Sequence, residues 1–256
     1  MKLFLFTLCL VTNIYYGMAK VIPSNNVLAD RVAQPCSKSV PNYDECFLDY
    51  IRKFQKQMLN GIREMNIPNF NPFHLPVFSV NRTINDMASI SAEITDVKIW
   101  GFDKMEFKKF KFDPEAFTGE TEVYLPQIKL SLDYDATGKL FSPSPLTDTG
   151  HFKANLTDVT GGGTFSLKTI EKMGVKYFNL DNIQLTGNVG GANVKMMSKK
   201  SENQGVADFV SNFINEDPQR VFKALAPAVQ DTAETIARLI IDQILNTVPA
   251  NELVPE

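Results

Sequence analysis

The sequence predicts an α+β fold in which a curled antiparallel sheet wraps along a long C-terminal helix, in one elongated domain. Three observations predict it. From residue 77 to about 198 apolar and polar residues alternate with a period of two, the mark of half-buried strands. Within that stretch the phase slips by one residue several times, as β-bulges require, and each bulge bends its strand. Near the C-terminus Phe222, Leu225, Val229, Ile236, Ile240, Ile244 and Val248 fall on a helical stripe. A long helix with a wide apolar stripe needs a long apolar surface to cover it. Long bent strands supply one.

The elements follow in chain order. Lys2, an apolar run from Leu3 to Val11, and the small residues Gly17 and Ala19 form the layout of a secretory signal peptide cleaved after Ala19. The run is shorter than the roughly 20 apolar residues of a membrane span. The later apolar segment Ile236–Leu245 is interrupted by Arg238 and Asp242, so no stable membrane insertion is expected. Cys9 leaves with the signal peptide. Cys36 and Cys46 remain, and in an oxidising compartment they read as one disulfide worth about 2–3 kcal/mol. Two free thiols is the alternative. Asn81-Arg82-Thr83 and Asn155-Leu156-Thr157 are glycosylation sequons; if used, each asparagine must face solvent.

Phe47, Ile51, Phe54, Met58 and Ile62 predict a first helix capped near Asp44, with Arg52, Lys53, Lys56 and Gln57 on its solvated face and Gly61 at its end. Residues 66–76 carry Pro68, Pro72 and Pro76, which exclude both helix and central strand and predict an extended connector. Ile90, Ala92 and Ile94 alternate before the phase slips to Val97 and Ile99. Phe107 gives way to Phe110 and Phe112 in the same manner. The longest run, Gly119 to Asp135, shifts at Pro126-Gln127, and Asp135-Ala136-Thr137-Gly138 is expected to turn. Further strands are expected at 149–159, 163–171, 175–186 and 188–198, with Gly161-Gly162-Gly163 as a hairpin turn. Gln204–Ile214 reads as a short amphipathic helix. Asp217-Pro218 then places an N-cap and a proline at the first position of a helix about 45 Å long, bent at Pro227.

The mature chain has 25 basic and 29 acidic residues once Lys2 is removed. This mild negative balance argues against nucleic acid and against electrostatic attachment to anionic lipid. Its histidines are His74 and His151, each read as a solvent-facing or satisfied structural residue. The sequence has no G-x-S-x-G, H-E-x-x-H or P-loop, and its acids lack calcium-loop spacing. It therefore predicts no enzyme, no metal and no cofactor. The positive signal is 19 phenylalanines, suited to a mostly apolar pocket. Trp100, Phe107, Phe110, Tyr124, Phe152, Phe165 and Tyr177 are the inward-facing candidates, with Ile236, Ile240 and Ile244 on the helix. Trp100 and the tyrosines add a polar handle to an apolar ring.

These landmarks resemble the insect takeout and haemolymph juvenile-hormone-binding family over nearly the whole mature chain. The cysteine pair precedes the first helix. The connector Gly61-Ile62 through Ile67-Pro68-Asn69-Phe70-Asn71-Pro72-Phe73-His74-Leu75-Pro76 follows the family pattern G-I-P-x-x-x-I-P-x-x-D-P-L-x-I-P. Val97 with Gly101, Pro126 with Ile128, Gly150-x-Phe152, Asn155-Leu156-x-Asp158-Val159 and the helix ending at Val248-Pro249 match as well. Arg63, Asn71 and Phe73 depart from the pattern, and one disulfide in place of two points to the takeout branch. The resemblance implies a single domain over 20–256, a sheet enclosing an apolar tunnel, and a secreted, monomeric carrier. Its partner would be a lipophilic small molecule of terpenoid, quinone or fatty acyl type, in clock-linked, feeding or chemosensory physiology. The alternative is a signalling or structural protein with a self-filled interior that acts through its surface on an unidentified receptor.

Overall fold

The computed structural model describes residues 36–255, except 64–66, 76, 86–87 and 141–144, and the described residues belong to one compact unit, Gln34–Glu256. The expected signal peptide, Cys9 and Pro76 lie outside the described residues. Helix α1 is Tyr43–Met58. Seven strands follow: β1 Phe73–Leu75, β2 Phe78–Asn85, β3 Ala88–Trp100, β4 Glu106–Asp113, β5 Thr118–Leu140, β6 Leu146–Lys172 and β7 Val175–Ser198. Helices α2 (Gln204–Glu216), α3 (Pro218–Leu245) and α4 (Ala250–Leu253) complete the chain.

All the strands form one antiparallel sheet in the order β1-β3-β5-β6-β7, with β2 added to β3 and β4 to β5. Strand β5 is its spine. One side of β5 pairs with β4 and then β3, and the other side pairs with β6 over nearly its full length. Strands β5, β6 and β7 run 23, 27 and 24 residues, about four times the usual strand. The sheet is not closed into a barrel; β7 is its far edge.

Two of the phase slips are bulges in the register. One falls between Thr95 and Lys98, with Asp96 at φ 48°, and the other between Phe107 and Lys109. The third differs. Leu125 pairs with Val159 and Gln127 with Thr157, so the count is unbroken across Pro126. Strand β6 makes a compensating turn at Asp158, φ 51°, and the irregularity crosses both strands together.

Three expected breaks are absent. Residues 135–138 do not turn, because β5 continues to Leu140 with partners on both sides. The segments expected at 149–159 and 163–171 are one strand, and so are 175–186 and 188–198. Gly161, Gly162 and Gly163 lie in the ladder opposite Val123, Glu122 and Thr121. Their role is close approach. A side chain at Gly163 would run into the Gln184 carbonyl on the neighbouring strand. The β6–β7 hairpin turns at Met173-Gly174, both at positive φ, as a two-residue type I′ turn requires.

The helices start and stop for local reasons. Helix α1 ends ahead of Gly61, which adopts φ +72°. Ile62 and Ile67 then exchange backbone hydrogen bonds at 3.0 Å in each direction, which folds back the start of the connector. The connector contributes β1, a three-residue edge strand. Helix α3 is capped by Asp217, whose carboxylate accepts from the Arg220 N–H at 3.1 Å. It runs 28 residues, about 42 Å, with Pro227 inside it.

Candidate functional site

Alternation along the strands assigns two faces to the sheet. Leu125, Tyr134, Ala154, Ile183 and Val194 are buried on the inner face, while Lys129, Lys153 and Lys195 are exposed on the outer one. At the α1 end the inner face is filled by rings. Phe112, Phe178 and Val254 are buried there under Tyr43, Phe47, Phe110, Phe117, Phe165 and the end of the chain. Phe47 lies 5.4 Å from Phe110 and 5.6 Å from Phe112, and Phe112 stacks on Phe165 at 6.1 Å. Helix α1 is therefore held by aromatic contact. The Cys36–Cys46 disulfide ties its N-terminal turn to the preceding segment, and the Lys38 N–H donates to the Pro255 carbonyl at 3.0 Å.

Farther along, the inner face becomes shallow. Val123 pairs with Gly161 and Gly161 with Gly187, beside a row of Leu125, Val159 and Val189. A Cβ at Gly187 would meet only the Thr160 carbonyl, at 3.5 Å. Beyond this lies the row Leu132, Phe152 and Met196. At the far end Tyr134 donates to Asp148 at 2.8 Å. Asp148 also accepts from Ser198 Oγ at 2.6 Å and Asn203 Nδ2 at 3.0 Å.

The ten predicted lining residues separate into groups. Phe107, Phe110 and Phe165 belong to the aromatic end, Phe107 meeting Phe110 edge-on at 6.4 Å. Phe152 lies on the inner face, and Ile236, Ile240 and Ile244 form a half-buried stripe on α3. Trp100 alternates with Ile99 and stands in register with exposed Lys129, on the face that carries Lys98. Tyr124 is on that outer face too, donating to Asp158 at 2.8 Å under the Lys108 ammonium. Tyr177 bridges to Pro249, with Lys172 Nζ 5.4 Å from its ring.

A cleft of about 590 Å³ opens at the α1 end, rimmed by Asp44, Lys111, Asp113 and Glu120 and floored by Phe112 and Phe165. Its charged rim sets it apart from an apolar tunnel. His151 is held on the outer face: Nδ1 is 2.7 Å from Asp133 and Nε2 is 3.1 Å from Ser131. That hydrogen bond first, and then Lys199, holds the Asp133 carboxyl below the usual range. His74 is exposed on β1. Among the described residues no group of three His, Cys, Asp or Glu is placed to hold a metal ion. Asn81 is exposed on β2, whereas Asn155 is half-buried and its Oδ1 is buried without a hydrogen-bond partner among the described residues.

The sequence reading missed how the helices hold β7. Asp242 accepts the Leu180 N–H, Arg238 donates to the Leu180 carbonyl, and Glu234 accepts the Leu185 N–H, each at 2.8 Å. Polar side chains four residues apart on α3 thus complete the open edge of the strand. The spacing 234, 238, 242 was visible, but on a helix it reads equally as a solvated face.

Comparison with known proteins agrees with this arrangement. The crystal structure of Epiphyas postvittana Takeout 1 superposes with a TM-score of 0.70 at 17% identity, covering 88% of this chain and 100% of that one. A lipopolysaccharide binding protein gives a TM-score of only 0.36 at 14% identity, covering 77% of this chain and 39% of that one. No curated protein matches the sequence significantly. The sequence profile described as haemolymph juvenile hormone binding protein matches residues 5–255, nearly the full length over which strands, connector and terminal helix were traced. The chain belongs to the haemolymph juvenile hormone binding protein family.

Proposed function

We propose that this protein is a secreted carrier that binds a lipophilic small molecule in an apolar tunnel between the inner face of the sheet and α3. The observation that carries the reading is the change along that face. Rings pack on one another at the α1 end, while glycines and valines leave the middle shallow beneath a helix with an apolar stripe. Phe152, Ile236, Ile240 and Ile244 are assigned to the ligand, and Phe107, Phe110 and Phe165 to the closed end. Family membership and the takeout-like fold support a cargo of terpenoid, quinone or fatty acyl type. Such a cargo would be held by burial at about 25 cal/mol per Å² of apolar surface. The signal peptide reading, the disulfide and exposed Asn81 support an extracellular, glycosylated protein.

The test is native mass spectrometry and solvent extraction of the purified protein, followed by titration with an apolar fluorescent probe. A co-purified lipid, or a saturable probe shift weakened by Phe152→Asp, is expected. A folded protein that carries no lipid and shifts no probe would sink the reading and leave the surface-acting alternative.

A further inference from the structure

Ser131, Asp133 and His151 form an ordered chain of hydrogen bonds on the outer face of the sheet. Ser131 and Asp133 are two residues apart on β5 and project from the same face. Strand β6 places His151 opposite Asp133 and Lys153 opposite Ser131. His151 Nδ1 is 2.7 Å from Asp133 Oδ1, and Nε2 is 3.1 Å from Ser131 Oγ. The hydrogen bond to His151 holds the Asp133 carboxyl below its usual range, so it stays ionised. A carboxylate can only accept, so Nδ1 carries the proton and donates to Asp133. In the neutral ring Nε2 is then an acceptor, and the Ser131 hydroxyl donates to it. Asp133 thus fixes both the tautomer and the direction of the hydroxyl proton. Lys199 Nζ, 3.6 Å from Asp133 Oδ2, holds the carboxylate from its other side. A histidine kept for sheet stability needs only the Asp133 bond; the second contact couples a hydroxyl to the pair.

Solvent reaches this chain of groups. The His151 and Asp133 side chains are 29% and 35% exposed, and Ser131 is half-buried. Lys98 on β3 and Lys153 on β6 stand in register on either side of Ser131. Lys98 is held by Asp96 at 2.9 Å, while Lys153 is exposed and pairs with no carboxylate among the described residues. An ammonium beside an attacking oxygen can take the negative charge that develops on a carbonyl. The β5 backbone is paired on both sides here, so its N–H groups are already used and Lys153 is the group that can supply that charge. The remaining acids of this face, Glu93 and Asp135, form the next row beyond Asp133, away from Ser131. Met197 on β7 stands opposite His151 and gives the site an apolar neighbour.

We propose that Ser131, His151 and Asp133 form an esterolytic site for carboxylic esters presented from solvent. Ser131 is the nucleophile, His151 the general base and Asp133 the positioning residue. Ser131 Oγ bonds to the ester carbonyl carbon as its proton passes to His151 Nε2, and the carbonyl π electrons move onto the oxygen beside Lys153. The intermediate collapses and the bond to the leaving oxygen breaks. That oxygen takes the proton from Nε2 and departs as an alcohol. Water then attacks the acyl group in the same manner, releasing a carboxylic acid and restoring the serine hydroxyl. The expectation of no enzyme rested on absent motifs, and this site has none, because strand pairing and not spacing brings His151 to Ser131. The proposal goes beyond the carrier reading and does not depend on it.

The test is turnover of p-nitrophenyl acetate by the full chain, together with a fluorophosphonate probe mapped by peptide mass spectrometry. Turnover above the buffer rate and a phosphonyl adduct on Ser131 are expected. Ser131→Ala should remove the adduct and lower the rate by about a hundredfold, and His151→Ala should lower it by a similar factor. Asp133→Asn should lower kcat with KM little changed, because it disturbs the tautomer of the ring and not the place where the ester sits. The side chains are partly exposed, so the circular dichroism spectra of the variants should match that of the parent. No turnover above buffer overturns the proposal. A rate that survives Ser131→Ala also overturns it, by assigning the reaction to surface amines. So does an adduct on another residue with Ser131 unmodified. Titration with the apolar fluorescent probe reads the carrier function separately.

Discussion

The α1 end of the sheet and its β7 edge are finished by opposite chemistry. At the α1 end, helix and sheet meet through rings: Phe47, Phe110, Phe112 and Phe165 stack or tilt on one another within about a ring's width. Along β7 the helices meet the sheet through polar side chains that substitute for a missing strand. Ring packing is cooperative and dry. Each edge hydrogen bond is worth only about 0.5–1.5 kcal/mol net and exchanges readily with water. The difference teaches that the closed end carries the stability, while the β7 side is held by a series of small, separable latches.

The largest effect expected from this contrast is at the aromatic end. Phe112→Ala should cost about 3–5 kcal/mol, because the side chain is 5% exposed and its neighbours cannot close the void. Urea unfolding of the variant checks it, and a loss below about 1 kcal/mol would mean that end is not a packed core. Asn215→Ala should cost less, about 1–3 kcal/mol, by leaving both backbone groups of Val194 without partners. Its signature should be local. Hydrogen exchange should accelerate at β7 amides near Val194 and stay slow at those near Phe178, whereas uniform acceleration would mean that the latches are not separable.

Only one side of this contrast was partly legible in the sequence, and the limits have physical causes. The phase slips at 95–97 and 107–110 were readable because a bulge moves every following side chain to the other face. The aromatic end was half-legible: the helical stripe through Phe47 was clear, but not its meeting with Phe165, more than a hundred residues away. Strand lengths were misread at Asp135–Gly138 and Gly161–Gly163. Both segments consist of turn-forming residues, but β5 and β6 are held on both sides there, so pairing overrides local preference. Trp100 and Tyr124 were expected inward on the strength of their rings, and register places both beside outer-face residues. The polar edge latches had no distinct signal, since a latch and a solvated helix face share one spacing.

Tyr43 tests the dryness of the aromatic end. Its hydroxyl is buried with no hydrogen-bond partner among the described residues. Burial, then the neighbouring Asp44 carboxylate, pushes its pKa up to about 12. Tyr43→Phe keeps the ring contact with Phe47 and removes the unsatisfied group, so it should be neutral or stabilising by about 1 kcal/mol. A thermal melt checks the sign, and clear destabilisation would show that water or a neighbour serves that hydroxyl.

The smallest expected effect separates the two regions by pH. Burial pushes the Asp148 carboxyl up, but the hydrogen bonds from Ser198, Asn203 and Tyr134 and from the Thr149 N–H outweigh it, and the net shift is downward. A carboxyl whose pKa is lower folded than unfolded stabilises the fold above its unfolded value. That contribution is lost as pH falls through its folded value. Asp148 joins the ends of β6 and β7 to the turn Ser201–Asn203 that leads into α2. Acid should therefore loosen the α2 side while the ring-packed α1 end holds. In Asp148→Asn the protein should be less stable at neutral pH and lose less on acidification. Melting curves across the carboxylate range, with exchange at β7 amides as the local readout, distinguish this from general acid unfolding. Equal acid sensitivity in the variant would mean that the α2 side is held by something other than this carboxylate.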